Sequence, residues 1–433
     1  MALRRYGAVG AWNIATSDRG PVLLALDPGP TIFPSENGSF AARNNERSDQ
    51  LESTEVALKD RPVQREAGQP KTFIPVYRPD LSGNERRYVL ECLDSTWISS
   101  NGAFVGRFEA EFSRALEIAH AITVTNGTVA LHLALHGLGI GPGDEVIVPT
   151  FSYISCVNTI AQTGAKPVFV ESRLSDWLMD PDDVSRKVSG RTKAIMAVHL
   201  YGAVCDMSAL KKIAAQKGLL IIEDCAEVLG ATLAGRQVGT FGDVACFSFY
   251  GNKTVTTGEG GMVATQNAEL AARLRLLKNQ GQDSNRRYWH TEFGFNYRMT
   301  NICAAIGLAQ IERLPAIVAR KRAIADLYRA LLSGSPVTCQ KPNAGVASSE
   351  WLFSVLLPEG AARDRVAAYL AANGVETRPV FHCAHHMPMY RTGESFPTAE
   401  AIAERGISLP SFPGLNDADV ELIAGLLKAS LRQ

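Results

Sequence analysis

From Lys71 onward, short runs rich in β-branched residues alternate with longer stretches of helical period, and this alternation narrows the folds open to the chain more than any other feature. Glu145 to Val148, Pro167 to Val170, Ala194 to Val198, Leu219 to Ile222, Val244 to Phe249 and Met262 to Thr265 read as strands. Helical patterns fill the gaps, as at Val129 to Leu138, Met207 to Gln216 and Leu270 to Lys278. Strands separated by helices predict a large, mostly parallel α/β sheet covered on both faces, with ligands bound beyond the carboxyl ends of its strands. A long helical pattern from Asn301 to Leu332 then leads through S-G-S-P into a smaller α+β unit. The expected division is an N-terminal extension over 1–70, a large domain over 71–332 and a small domain over 333–433.

The extension carries Pro, Gly, Asn, Ser and charged residues in no helical or strand period, which predicts a solvated, disordered segment. Arg4 and Arg5 invite a targeting reading, but the stretch after them is poorly apolar and has no convincing cleavage site. Lys plus Arg equal Asp plus Glu at 44 each, so charge gives no reason to expect nucleic acid or an acidic membrane surface as partner. No run of about 18 apolar residues is long enough to span a bilayer. The eight cysteines lack C-x-x-C spacing, which fits reduced thiols in a cytoplasm better than a disulfide or zinc framework.

Two glycine-rich segments are decoys. G-L-G-I-G-P-G at 137–143 follows a helix and precedes a strand, the reverse of a dinucleotide fingerprint, and reads as a helix stop and turn. Lys253-Thr254 lacks the glycines of a phosphate loop.

The segment F-S-F-Y-G-N-K-T-V-T-T-G-E-G-G at 247–261 holds Lys253 between a strand and a glycine-rich reversal. An amine held at a cleft edge in this way can form a Schiff base; the alternative is a solvated lysine in a turn. Other segments supply what a pyridoxal phosphate site needs. Asn126-Gly127-Thr128 sits between a strand and a helix, either as an anion site at a helix N-terminus or as an ordinary cap. Asp224 closes a strand, where its carboxylate either pairs with a pyridine nitrogen or caps a helix. Glu223 beside it reads as a packing or surface carboxylate. Tyr153 is placed to stack on a ring or to lie in the core.

Several separated motifs together carry a resemblance: T-N-G-T-V-A-L-H-L-A-L, V-P-T-F-S-Y, H-L-Y-G-A-V-C-D-M, I-I-E-D-C-A-E, F-S-F-Y-G-N-K-T-V-T-T-G-E-G-G-M, G-F-N-Y-R-M-T-N-I-C and L-P-S-F-P-G-L. From Phe73 to the C-terminus the chain resembles the DegT/DnrJ/EryC1/StrS sugar aminotransferases, fold-type-I enzymes dependent on pyridoxal 5'-phosphate. The resemblance implies Lys253 as the catalytic, cofactor-bearing lysine, Asp224 at the ring nitrogen and Tyr153 stacked on the ring. It assigns phosphate contacts to Gly127, Thr128 and Ser248, with Asn296 supplied by the other subunit of a homodimer. Glu227 stands where many members carry Gln or His over the cofactor's 3-hydroxyl. Lysine rather than histidine at 253 implies transamination, with L-glutamate as donor, rather than dehydration.

The segment from Phe73 to Gly102 is similar to the start of members that aminate GDP-4-keto-6-deoxymannose at C4, which implies a nucleotide-linked keto sugar as acceptor; UDP- and dTDP-linked sugars are the alternatives. Trp97, Ser99 and Ser100 fall on the sugar-contacting loop, or form a helix exit. His385 falls at the substrate end of the cleft, and Arg298 either reaches across the subunit interface or forms a structural ion pair. His132 and His136, four apart on a helix, read as packing, and no metal site is expected. A relative that had lost activity would serve only as a binding or regulatory partner; Lys253, Asp224 and the glycine-rich segment count against that.

Overall fold

The computed structural model describes residues 73–432, so the expected extension over 1–70 lies outside the described residues. The strand expectations resolve into one seven-stranded sheet. Its members are β1 (His120–Val124), β2 (Glu145–Pro149), β3 (Lys166–Val170), β4 (Thr192–Val198), β5 (Leu220–Asp224), β6 (Val244–Ser248) and β7 (Gly261–Thr265), in the order β1-β7-β6-β5-β4-β2-β3. From β3 across to β6 every pairing is parallel. β7 runs against both of its neighbours, β1 and β6. The reason lies in the connection: residues 249–260 contain no helix, and a return without a crossover helix brings the next strand back antiparallel. This connection carries Lys253, which therefore emerges at the carboxyl end of β6.

The alternation along β6 separates core from cleft. Phe247 and Phe249 point inward, where Phe247 meets Phe112 at 5.0 Å between ring centroids and Phe249 meets Phe108 at 5.2 Å. Ser248, between them, faces the opposite side at a period of two. The glycine decoy at 137–143 ends the helix Gly127–Gly137 and turns the chain, with positive φ of 74° at Gly139 and 94° at Gly143.

The single helical pattern expected over Asn301 to Leu332 is two helices, Asn301–Ile311 and Leu314–Leu332, bent by 62°. Pro315 explains the break, because it lacks an N–H and fits only the first turn of the second helix. No single helix among the described residues is long and apolar enough to cross a membrane.

A second, four-stranded sheet combines β8 (Thr338–Cys339), β9 (Phe353–Leu356), β10 (Arg378–Pro379) and β11 (Gly406–Leu409) in the order β8-β9-β11-β10, all antiparallel. Its core reaches back along the chain: Ile324 and Tyr328 of the long helix and Ile74 pack with Phe353, Val375 and Leu409. The Tyr328 ring stacks on Phe353 at 4.6 Å, and its hydroxyl donates to the Pro410 carbonyl. This sheet brings β10 and β11 to the carboxyl edge of the large one.

Candidate active site

A cavity of about 710 Å³ opens where the carboxyl ends of the large sheet meet the smaller one. Gly127, Thr128, Tyr153, Asp224, Glu227, Ser248 and Lys253, which are far apart in sequence, all line it. Each arrives from the segment that follows or ends a strand, as expected for an open α/β sheet.

Asn126 caps the helix Gly127–Gly137 with its side chain, accepting from the Val129 N–H at 2.9 Å. The N–H groups of Gly127 and Thr128 have no acceptor among the described residues, so the first turn presents two free donors to the cavity. Anion site and ordinary cap are thus the same structure: Asn126 does the capping and leaves its neighbours available. A Cβ on Gly127 would lie 2.7 Å from the Ser248 Cβ, so the cradle between helix and β6 exists only with glycine there. Gly127→Val is expected to weaken pyridoxal phosphate binding at least tenfold, measured by titrating the apoprotein with the cofactor.

Asp224 ends β5 and is 5% exposed. One carboxylate oxygen accepts from the Ala226 N–H at 3.0 Å and the other from the Cys156 thiol at 3.0 Å. Burial and the Asp224 charge push the Cys156 thiol well above its ordinary pKa, so it remains a donor that orients the carboxylate.

Lys253 Nζ lies 3.2 Å from Glu227 Oε1 and 3.7 Å from the centre of the Trp351 ring. The second Glu227 oxygen accepts from the Tyr201 N–H at 3.0 Å. Tyr201 holds that N–H in place at φ +57°, a left-handed conformation uncommon for a tyrosine. Its ring stacks between Trp351 at 6.0 Å and Phe381 at 5.4 Å. Burial raises the Glu227 carboxyl to about 6, with the Lys253 ammonium opposing the rise. A raised carboxyl contributes stability that is complete below its unfolded value of about 4.5 and lost as the pH climbs through about 6. That loss amounts to about 2 kcal/mol. Thermal melts of the apoprotein between pH 4.5 and 6.5 are expected to show this loss, and Glu227→Gln should remove it.

Tyr153 is 57% exposed on the cavity wall, beside Phe381 at 5.7 Å, which excludes the core alternative for it. Glu223 is fully buried and accepts from the N–H groups of Gly239, Phe241 and Gly242 as a packing carboxylate. His132 and His136 pack against Phe295 on the helix flank.

The remaining expected contacts do not line the cavity of this chain. Trp97 and Ser99 are exposed, and their carbonyls accept from the side chain and backbone of the buried Asn301. Asn296 is exposed and accepts from Arg298 Nε at 3.0 Å. His385 is only 2% exposed; its Nδ1 lies 2.6 Å from the Thr150 hydroxyl and its Nε2 3.1 Å from Glu400. Conversely, Trp351, Tyr201, Phe381 and Arg378 line the cavity without having been singled out in the sequence. The motif H-L-Y-G contained Tyr201, but nothing local marked it as the backbone partner of Glu227.

These residues suit pyridoxal phosphate: free amides at a helix N-terminus for its phosphate, a buried carboxylate, an aromatic face and a primary amine share one cavity. The class that joins such a site to this sheet is the fold-type-I pyridoxal-phosphate aminotransferases. The chain superposes on the aminotransferase TlmJ from Streptoalloteichus hindustanus with a TM-score of 0.79 at 34% identity, covering 83% of this chain and 99% of that one.

The chain belongs to the DegT/DnrJ/EryC1/StrS aminotransferase family, which it matches over residues 79–428. It is 49% identical to the GDP-perosamine synthase of Vibrio cholerae, over 82% of this chain and 98% of the relative. It is 50% identical to the GDP-perosamine synthase of Escherichia coli O157:H7, over 80% of this chain and 96% of the relative.

Proposed function

We propose that this aminotransferase moves an amino group from L-glutamate to GDP-4-keto-6-deoxymannose, giving 2-oxoglutarate and GDP-perosamine. The observation that carries this reading is the near-full-length identity of about half to two GDP-perosamine synthases. An intact amine and carboxylate set in the cavity supports it.

When bound, pyridoxal phosphate supplies the electron sink for the pair left at the donor's α-carbon as its proton departs. Gly127 and Thr128 N–H groups and the Ser248 hydroxyl bind the phosphate, with Asn296 of the partner subunit in a homodimer completing that site. Asp224 would set its carboxylate against the ring nitrogen, and Tyr153 would pack on the ring face. Glu227 would face the cofactor's 3-hydroxyl, as a buried carboxyl whose pKa burial raises to about 6 in the free protein. Lys253 would anchor the cofactor through its amine and, when that amine is free, would take the proton leaving the donor's α-carbon; with the acceptor sugar it would deliver a proton to the carbon that gains the amine. Trp97, Ser99 and Arg298 are proposed to act on the sugar side, Arg298 from across the interface, whereas His385, held by Thr150 and Glu400, is not. The eight unpaired cysteines support a reducing, cytoplasmic setting.

Offering the holoenzyme L-glutamate and a panel of GDP-, UDP- and dTDP-linked 4-keto-6-deoxy sugars, with products followed by mass, tests the assignment. GDP-perosamine is the expected product. Turnover confined to UDP- or dTDP-sugars would overturn the nucleotide assignment.

A further inference from the structure

Transamination passes two anions through one cavity in turn: a dicarboxylate donor and, on the reading proposed above, a sugar carrying a diphosphate. This chain's share of the cavity wall is poorly supplied with cations to receive them. Asp224, Glu227 and Glu259 line it on the acidic side, and Lys253 and Arg378 on the basic side. Lys253 is committed to the cofactor and to proton transfer. His199 also lines the wall, but its Nδ1 accepts from the Cys205 N–H at 3.1 Å and its Nε2 faces Glu223 at 3.3 Å. Arg378 is therefore the one remaining cation among the described residues of the wall.

Its placement suits an anion. Arg378 lies on β10, where pairing with β11 sets it opposite Ser408, a second wall residue. Its side chain is 44% exposed and makes a single ion pair, Nη2 to Glu376 Oε1 at 3.5 Å. Among the described residues it makes no hydrogen bond, so nearly all of the guanidinium's five N–H groups are open. Glu376 is itself held by the Val76 N–H at 2.9 Å, which fixes the near side of the fork and leaves the far side to the cavity. A planar guanidinium matches carboxylate and phosphate oxygens two at a time, which a lysine cannot do.

We propose that Arg378 is the anion anchor of the substrate cavity, holding oxygens of the donor's carboxylate or of the nucleotide's diphosphate. The inference rests on the transaminase reading but not on the identity of the sugar. Two arms on the holoenzyme distinguish the sources. In the first, L-glutamate alone is mixed with the enzyme and the cofactor's absorbance is followed, giving an apparent Kd and a limiting rate without any sugar present. In the second, GDP and UDP are titrated as competitors of the sugar half-reaction.

Arg378→Ala is expected to raise the apparent Kd roughly 10- to 100-fold, the scale of losing hydrogen bonds to a charged group, with the limiting rate changed less than about threefold. A rise for glutamate alone assigns the carboxylate; a rise for the nucleoside diphosphates alone assigns the diphosphate. Arg378→Lys should restore part of the affinity, because charge returns without the fork. Arg378→Gln provides the same readout if the alanine variant fails to fold. Unchanged Kd values in both arms would overturn the proposal. If the enzyme turns over only UDP-sugars, the GDP reading falls while the glutamate and UDP arms still report on Arg378.

Discussion

Lys253→Ala is expected to abolish transamination. A positioned general base contributes on the order of 10²- to 10⁴-fold, and this substitution also removes the amine proposed to anchor the cofactor. The surroundings show why no neighbour replaces it. The Lys253 amine is packed between Glu227 and the Trp351 ring, and the cavity's other cation, Arg378, carries a guanidinium, a donor-only group that cannot serve as a base. Activity is expected below about 10⁻³ of the wild-type rate. The variant should also lose the visible absorbance of covalently held cofactor. A second consequence follows from electrostatics: without the opposing ammonium, the Glu227 carboxyl should rise above its value of about 6. A pure, folded Lys253→Ala protein that transaminates at the wild-type rate would falsify the role given to this amine.

The second large effect is expected at Asp224. Alanine there would leave the Cys156 thiol and the Ala226 N–H without their acceptor, mixing a folding defect with the chemical one. Asp224→Asn is the cleaner variant, because its amide oxygen can still accept from Ala226 while the negative charge is gone. The glutamate half-reaction is expected to slow roughly 10²- to 10³-fold, the scale of removing one preorganised electrostatic partner from a water-poor site. The melting temperature should change little by comparison. Single-turnover rates with L-glutamate measure the effect; an Asp224→Asn enzyme within a factor of two of wild type would show that this charge is not needed at the ring nitrogen.

Much of the frame was legible in the chain. Short β-branched runs marked six strands of the large sheet to within a few residues, because burial on both faces demands unbroken apolar segments. The strand-end positions of Asp224 and Ser248 followed from those runs, and the rule that ligands gather at carboxyl ends pointed to one cleft. The bend at Pro315 was masked by the continuous apolar period on either side of it, although the proline itself supplies the break. Trp351, Tyr201 and Arg378 carried no local signal. Each looks like an ordinary packing or surface residue until the second sheet docks against the first. His385 shows the converse: a position suggested by resemblance lies behind the wall, where Thr150 and Glu400 occupy both ring nitrogens.

The sequence by itself determined the alternating strand and helix order, the amine on a helix-free return and the carboxylate at a strand end, because these depend on periodicity and on the few conformations open to short connections. Only the tertiary structure decided which distant groups meet that amine. Glu227 and Trp351 flank Lys253 and Arg378 completes the charge of the wall, because contacts between segments a hundred or more residues apart are set by how two sheets pack, and no local pattern encodes that.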